Sequence, residues 1–140
     1  MADIHSKAVR SYNMSKIKNK NTKPELIVRQ FLHSIGFRYR LHVKNLTGRP
    51  DIVLAKYKTV IFIHGCFWHG HKGCKFAPTP KSNIEYWEPK LNNNMLRDLA
   101  NTKSLKKNGW NVIVIWECEL KTDKLEKTLK KLVRFIHKYQ

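Results

Sequence analysis

Four side chains in this sequence have the types and spacing of a metal cage. Cys66, His71 and Cys74 fall within nine residues as Cys-x4-His-x2-Cys, and Cys118 lies far along the chain, after the apolar stretch Asn111–Trp116. Thiolate and imidazole donors in a Cys3His set suit zinc, and four protein ligands close the ion off from solvent. That chemistry is structural: the ion would let a Gly-rich loop hold its shape without a core of its own. His69 competes with His71 for the fourth place, and spacing alone does not choose between them. The plain alternative is a pair of free loop cysteines with Cys118 buried as a small apolar residue. A zinc nucleobase deaminase is disfavoured, because the His-x-Glu and Pro-Cys-x-x-Cys pair is missing. Three cysteines cannot all pair within one chain, so a disulfide scaffold is not expected either.

A second constellation is acidic and imidazole-bearing. The chain has only ten Asp and Glu, so Asp51, directly after Arg49-Pro50 at the head of a strand, is informative. A carboxylate beside the end of a neighbouring strand can hold Mg²⁺ with a main-chain carbonyl as a further ligand, which is what phosphodiester chemistry needs. His64 and His69 flank the cysteine loop, and either can move a proton near neutral pH. Each has a plainer reading. Asp51 can cap a turn, the histidines can be hydrogen-bonded structural groups, and Glu25 is the N3 glutamate of a capping box over Thr22-Lys23-Pro24-Glu25.

The elements that must position these groups follow from the pattern of the chain. A helix runs from near Thr22 to Gly36 with Leu26, Ile27, Phe31 and Leu32 on one face. Phe37, Tyr39, Leu41 and Val43 alternate with Arg38, Arg40 and His42, which predicts a half-buried strand. Asp51 to Ala55 and Thr59 to Ile63 predict a hairpin, and residues 64–80 an irregular loop. A helix over about Asn92 to Lys107 carries Met95, Leu99, Thr102 and Leu105 on one side, and Gly109 ends it. A strand over Asn111–Trp116 and a last helix over about Thr122 to Tyr139, with Leu125, Leu129, Leu132, Val133 and Ile136 inward, complete an order αβββαβα. The fold class is α/β, a mixed sheet with helices on both faces.

At 140 residues the chain suits one domain. Lys and Arg number 28, giving a net charge of +18, which points to a polyanionic partner, nucleic acid before membrane. No apolar run approaches the ~20 residues of a membrane span, and the first residues lack the apolar stretch of a secretory leader, so a cytoplasmic location is expected. Residues 1–23 carry Lys7, Arg10, Lys16, Lys18, Lys20 and Lys23 against the single acid Asp3. They read as a basic arm that orders on a partner, or as an ordinary solvated terminus. Residues 24–140 then form the single domain.

The runs Gly48-Arg49-Pro50-Asp51, Val60-Ile61-Phe62-Ile63-His64-Gly65-Cys66-Phe67-Trp68-His69 and Trp116-Glu117-Cys118 closely resemble the very-short-patch-repair (Vsr-type) mismatch endonucleases. The likeness begins at Lys7-Ala8-Val9-Arg10-Ser11-Tyr12-Asn13-Met14 and runs to Glu119-Leu120. The resemblance implies a restriction-endonuclease-like fold with a structural zinc held by Cys66, His71, Cys74 and Cys118. It implies an enzyme that nicks duplex DNA 5′ of the thymine in a thymine–guanine mismatch left by deaminated 5-methylcytosine, using Mg²⁺. By position, Asp51 and the main-chain carbonyl of Ile63 would hold Mg²⁺; the family's threonine is replaced here by Ile63, a change that a main-chain ligand tolerates. His69 would be the general base or acid, supported by His64 and Glu25. Phe67, Trp68 and Trp87 would wedge into the base stack, and the arm, with Met14, Lys16, Lys18 and Lys20, would clamp the duplex from the other side. One asymmetric mismatch suits a monomer, at work on the bacterial nucleoid, with helper proteins of repair as further partners. Two alternatives stay open: a zinc-stabilised DNA-binding module without catalysis, and a restriction-type nuclease of the same fold with another target.

Overall fold

The structure, a computed structural model, describes residues 22–41, 43–77 and 81–138. Of the basic arm expected over residues 1–23, Thr22 and Lys23 open the first helix, while residues 1–21, with Met14, Lys16, Lys18 and Lys20, lie outside the described residues. Helix α1 spans Lys23–Ser34. Its first turn is built as the sequence requires: Thr22 Oγ1 accepts from the Glu25 N–H at 3.5 Å, and Pro24 occupies a position where no N–H is needed. Gly36, at φ +91°, turns the chain out of the helix.

Strand β1 (Ile52–Leu54) and strand β2 (Thr59–His64) pair antiparallel, with Ile52 opposite Ile61 and Leu54 opposite Thr59. A 3-10 turn over Ala55–Tyr57 joins them. Helix α2 (Ile84–Lys107) carries the chain to strand β3 (Asn111–Trp116), which pairs parallel to β2 from Thr59–Asn111 through His64–Trp116. Helix α3 (Leu125–Lys138) ends the described chain. The sheet order is β1-β2-β3, mixed as expected.

Side chains of successive strand residues face opposite sides of the sheet, and both sides are covered. Ile52, Leu54, Ile61, Ile63, Ile113 and Ile115 pack with Val28, Leu32, Leu132 and Ile136 of α1 and α3. Val53, Val60 and Phe62, with Val112 and Val114 beside them, pack around Leu105 of α2. This two-sided burial is why β2 reads as an unbroken apolar run. By the same alternation His64 and Trp116, at the ends of β2 and β3, belong to the α2 side.

Three expectations are corrected. The strand expected over residues 37–43 reduces to one antiparallel bridge, Arg40 to Val53. Strand β1 is three residues long, so this segment has only a short edge to pair with. It is held by packing instead: Phe37, Tyr39 and Leu41 join the first cluster and Val43 the second. Helix α2 starts at Ile84, eight residues before the expected start, and absorbs Pro89, which costs it one hydrogen bond in the second turn. Leu99, expected inward, is 68% exposed; Leu105 is the buried residue of α2.

Candidate active site and metal centre

The metal-cage residues are brought together. One donor atom from each of Cys66, His71, Cys74 and Cys118 lies within 4.8 Å of all the others. Strand β2 delivers Cys66 just past its end, and the 3-10 turn Glu117–Leu120 after β3 delivers Cys118. The loop between is closed by backbone bonds, His71 N–H to Cys66 C=O at 2.9 Å and His69 N–H to Gly65 C=O at 3.1 Å. His71 Nδ1 meets Cys118 Sγ at 3.5 Å. Burial, more than the neighbouring thiols, pushes the Cys66 thiol up to about 12, and burial also raises Cys118. Against burial, the N–H groups of Phe76 and Ala77 and the two other thiols hold Cys74 below the ordinary thiol range. Two buried thiols held protonated beside a third that ionises more readily are a donor set that a bound cation would turn into thiolates.

His69 is not in that cage. Its Nδ1 lies 2.6 Å from Asp98 Oδ2 on α2. A carboxylate only accepts, so Nδ1 carries the proton and Nε2 is left free to exchange one. The His69 ring stacks on His64, with centroids 3.9 Å apart and planes within 6°. His64 is buried, and burial, aided by His69 and opposed by Asp98, lowers it to about 4, which keeps it neutral. His64, His69 and Asp98 themselves lie within metal-holding distance of one another.

The acidic half of the site forms around Asp51. The Ile63 N–H donates to Asp51 Oδ2 at 2.6 Å, and the Asp51 N–H donates to the Ile61 carbonyl at 3.1 Å. In an extended strand the N–H and C=O of one residue face the same neighbour, so the Ile63 carbonyl lies on the Asp51 edge. Glu25, buried at the start of α1, is ion-paired with Arg29 Nη2 at 2.8 Å and presses on Asp51. Burial, and next the Glu25 charge, raises Asp51 to about 6, against the Ile63 N–H and Arg29, which lower it. Two carboxyl groups thus crowd one guanidinium, an arrangement that a divalent cation would relieve. Ile63 and His64 are consecutive, so the acidic and imidazole halves flank one stretch of backbone.

The aromatic residues also assemble. Phe67, Trp68 and Trp87 meet edge-to-face with centroids 5.2 to 5.6 Å apart. Tyr86 extends the cluster at 4.9 Å from Trp87, and Lys90 Nζ sits 5.4 Å over Trp68 and 5.3 Å over Tyr86. All three expected residues are partly exposed rather than core.

The sequence reading missed Asp98, Arg29, Tyr86 and Lys90. Asp98 had a signal: Asn94, Asp98, Asn101 and Leu105 share one helical face. That face docks the loop. Asn94 Nδ2 donates to the Trp68 carbonyl at 3.0 Å, and a Cβ on Gly48 would meet Asn101 at 3.0 Å. Arg29 had one too, four residues after Glu25 on the inward side of α1.

Comparison with known proteins fits this geometry. The family profile of the DNA mismatch endonuclease Vsr matches residues 2–75. A type II nicking enzyme of Neisseria meningitidis, V.NmeAIP, is 52% identical over 137 residues, which cover 97% of each chain. The DNA mismatch endonuclease Vsr of Escherichia coli is 40% identical over 121 residues, 86% of this chain and 77% of that one. In fold, the catalytic domain of the homing endonuclease I-Bth0305I superposes with a TM-score of 0.58, covering 85% of this chain and 98% of that one at 19% identity. The restriction-endonuclease-like fold and the nuclease activity expected from the sequence are thereby borne out, and the chain belongs to the Vsr family of DNA endonucleases.

Proposed function

We propose that this chain nicks one strand of duplex DNA on the 5′ side of the thymine in a thymine–guanine mismatch, in a Mg²⁺-dependent reaction that opens very short patch repair. The observation that carries the reading is the pairing of a crowded acidic pocket with an oriented histidine across Ile63–His64. Asp51 and the Ile63 carbonyl, with Glu25 beside them, would hold Mg²⁺. When bound, the cation offsets the charge that gathers on the phosphate and on the departing 3′ oxygen. His69 Nε2 takes the proton from the attacking water, while Asp98 fixes the ring through Nδ1 and takes up part of the positive charge. His64 supports His69 from below and stays uncharged.

The cage of Cys66, His71, Cys74 and Cys118 would hold Zn²⁺. Four donors around a tetrahedral ion with 2.3 Å bonds sit about 3.8 Å apart, within the 4.8 Å spread found here. When bound, the ion would stiffen the loop that carries Phe67, Trp68 and His69. Those aromatics and Trp87 are the wedge: insertion costs unstacking energy, and a mismatched step opens for less. That difference is the source of mismatch preference. Residues 1–23, as the arm, add phosphate contacts, and one copy suffices for one asymmetric mismatch.

A non-catalytic module leaves the Asp51–Glu25 pair and the Asp98–His69 bond without purpose. The test against a double-strand cutter is direct. A supercoiled plasmid and a mismatched linear duplex are incubated with Mg²⁺ and run on native and denaturing gels. One-strand products on the denaturing gel from an intact native duplex are expected. Linear double-strand fragments would replace this reading with the restriction-type one.

A further inference from the structure

Four rings form a continuous column from the metal cage to the histidine pair. The His71 ring stacks on Trp116, with centroids 4.1 Å apart and planes within 5°. Trp116 and His64 meet in a T-shaped pair, with centroids 5.1 Å apart and planes at 76°. His64 lies flat on His69, and His69 ends on Asp98. The backbone under the column is fixed: Trp116 stands opposite His64 in the parallel register, and its N–H donates to Glu119 Oε1 at 3.0 Å. Among the described residues, His64 Nδ1 is buried without a hydrogen-bond partner. The rings of Phe62 at 5.7 Å, His69 and Trp116 pack around the His64 ring and restrict its orientation.

We propose that Trp116 is a positioning residue for the cleavage step. Its ring holds His64, His64 holds the plane of His69, and its stack on His71 ties that plane to the metal cage. Trp116 touches neither DNA phosphate nor the acidic pocket in this scheme. The inference rests on His69 as the proton-transfer group. It adds that the cage serves the chemistry as well as the loop, because a cage ligand is the base of the column. A planar ring is required at 116; volume alone is not enough.

The experiment uses the full chain with its metal content measured. Trp116→Leu removes the planar face and Trp116→Phe keeps one. In Trp116→Leu the single-turnover cleavage rate falls about 10²-fold, the cost of a reacting group displaced by about an ångström. Duplex affinity and bound zinc stay at the wild-type level. Trp116→Phe recovers to within about fivefold. In a His64→Ala background Trp116→Leu changes the rate by less than about twofold, because the two act in series. In DNA-free protein the imidazole NMR signals of His69, which stacks on His64, shift in Trp116→Leu and return in Trp116→Phe. A wild-type rate in Trp116→Leu overturns the proposal, and so does an equal loss in both backgrounds. Unmoved His69 signals, or a loss of rate that follows a loss of zinc, also overturn it. If Trp116→Leu does not fold, Trp116→Phe and Trp116→His carry the same cycle with His64→Ala. If the wild-type protein cuts no DNA, the nuclease reading fails by itself, and the NMR arm still decides whether Trp116 sets His69.

Discussion

Asp51 is the side chain whose environment speaks most directly about its use. Its carboxyl is raised to about 6 from an ordinary 3.8. The folded chain therefore binds that proton more tightly than the unfolded chain does. The group favours folding as pH falls through about 6 towards 4, and above 6 its buried charge costs about 2 kcal/mol after allowance for partial solvent access. Without added Mg²⁺, Asp51→Asn is expected to melt about 5 °C higher than wild type near pH 7.5, with the gap closing by about pH 4. Equal melting temperatures near pH 7.5 would contradict the buried-charge account. Asp98 gives a second prediction. Asp98→Asn keeps the shape but offers its amide ambiguously to His69, so single-turnover cleavage should drop at least about tenfold with duplex affinity unchanged. A weakened affinity with unchanged rate would move Asp98 from the chemistry to DNA contact. Of this site, Asp51, His64, His69 and the four cage ligands were legible in the sequence, because each sits in a short run of distinctive residue types. Asp98 was missed, because its partner lies 29 residues away and the polar helical face it shares with Asn94 and Asn101 does not say what that face meets.

At the scale of elements, helix α2 shows why part of the fold escaped the sequence. Its apolar residues imply a core face through Met95, Leu99 and Leu105, yet Leu99 is exposed and Met95 covers the loop. The face through Asn94, Asp98 and Asn101 docks onto backbone and histidine, which hydropathy cannot report. The strands β1 and β2 were legible as short continuous apolar runs, and the helix α3 because its buried residues recur at helical spacing. Gly70 marks a close approach between loop and helix. It has φ +63°, and a Cβ there would stand 2.6 Å from Met95 Sδ. Gly70→Ala should cost about 1 kcal/mol or more in denaturant melts, with a lower cleavage rate from a displaced His69. An unchanged melt would mean that Met95 moves aside freely. The cage gives the complementary test. Cys118→Ser should lose bound zinc and lower the melting temperature, while a wild-type zinc content would remove Cys118 from the ligand set.

For the whole molecule the governing quantity is its charge of +18. Phosphate contacts release counterions, so duplex affinity should fall about 10³-fold or more between about 50 and 200 mM salt. A flat dependence would say that the basic residues do not face DNA. Charge supplies binding to any duplex; in the function proposed above, the choice of a mismatch is assigned to the Phe67–Trp68–Trp87 cluster, which as a wedge would work best where stacking is weakest. None of the described helices is long and apolar enough to cross a membrane. The central claim is that Asp51 and His69 cut one strand beside a thymine–guanine pair. It is tested most directly by single-turnover cleavage, with Mg²⁺, of two end-labelled duplexes that differ only in that pair, across several flanking sequences, with Asp51→Ala alongside. The account predicts a single nick 5′ of the thymine in the mismatched duplex, at least about 10²-fold faster than in the paired one and absent with Asp51→Ala. Equal cutting of both duplexes, or a nick that survives Asp51→Ala, would contradict it.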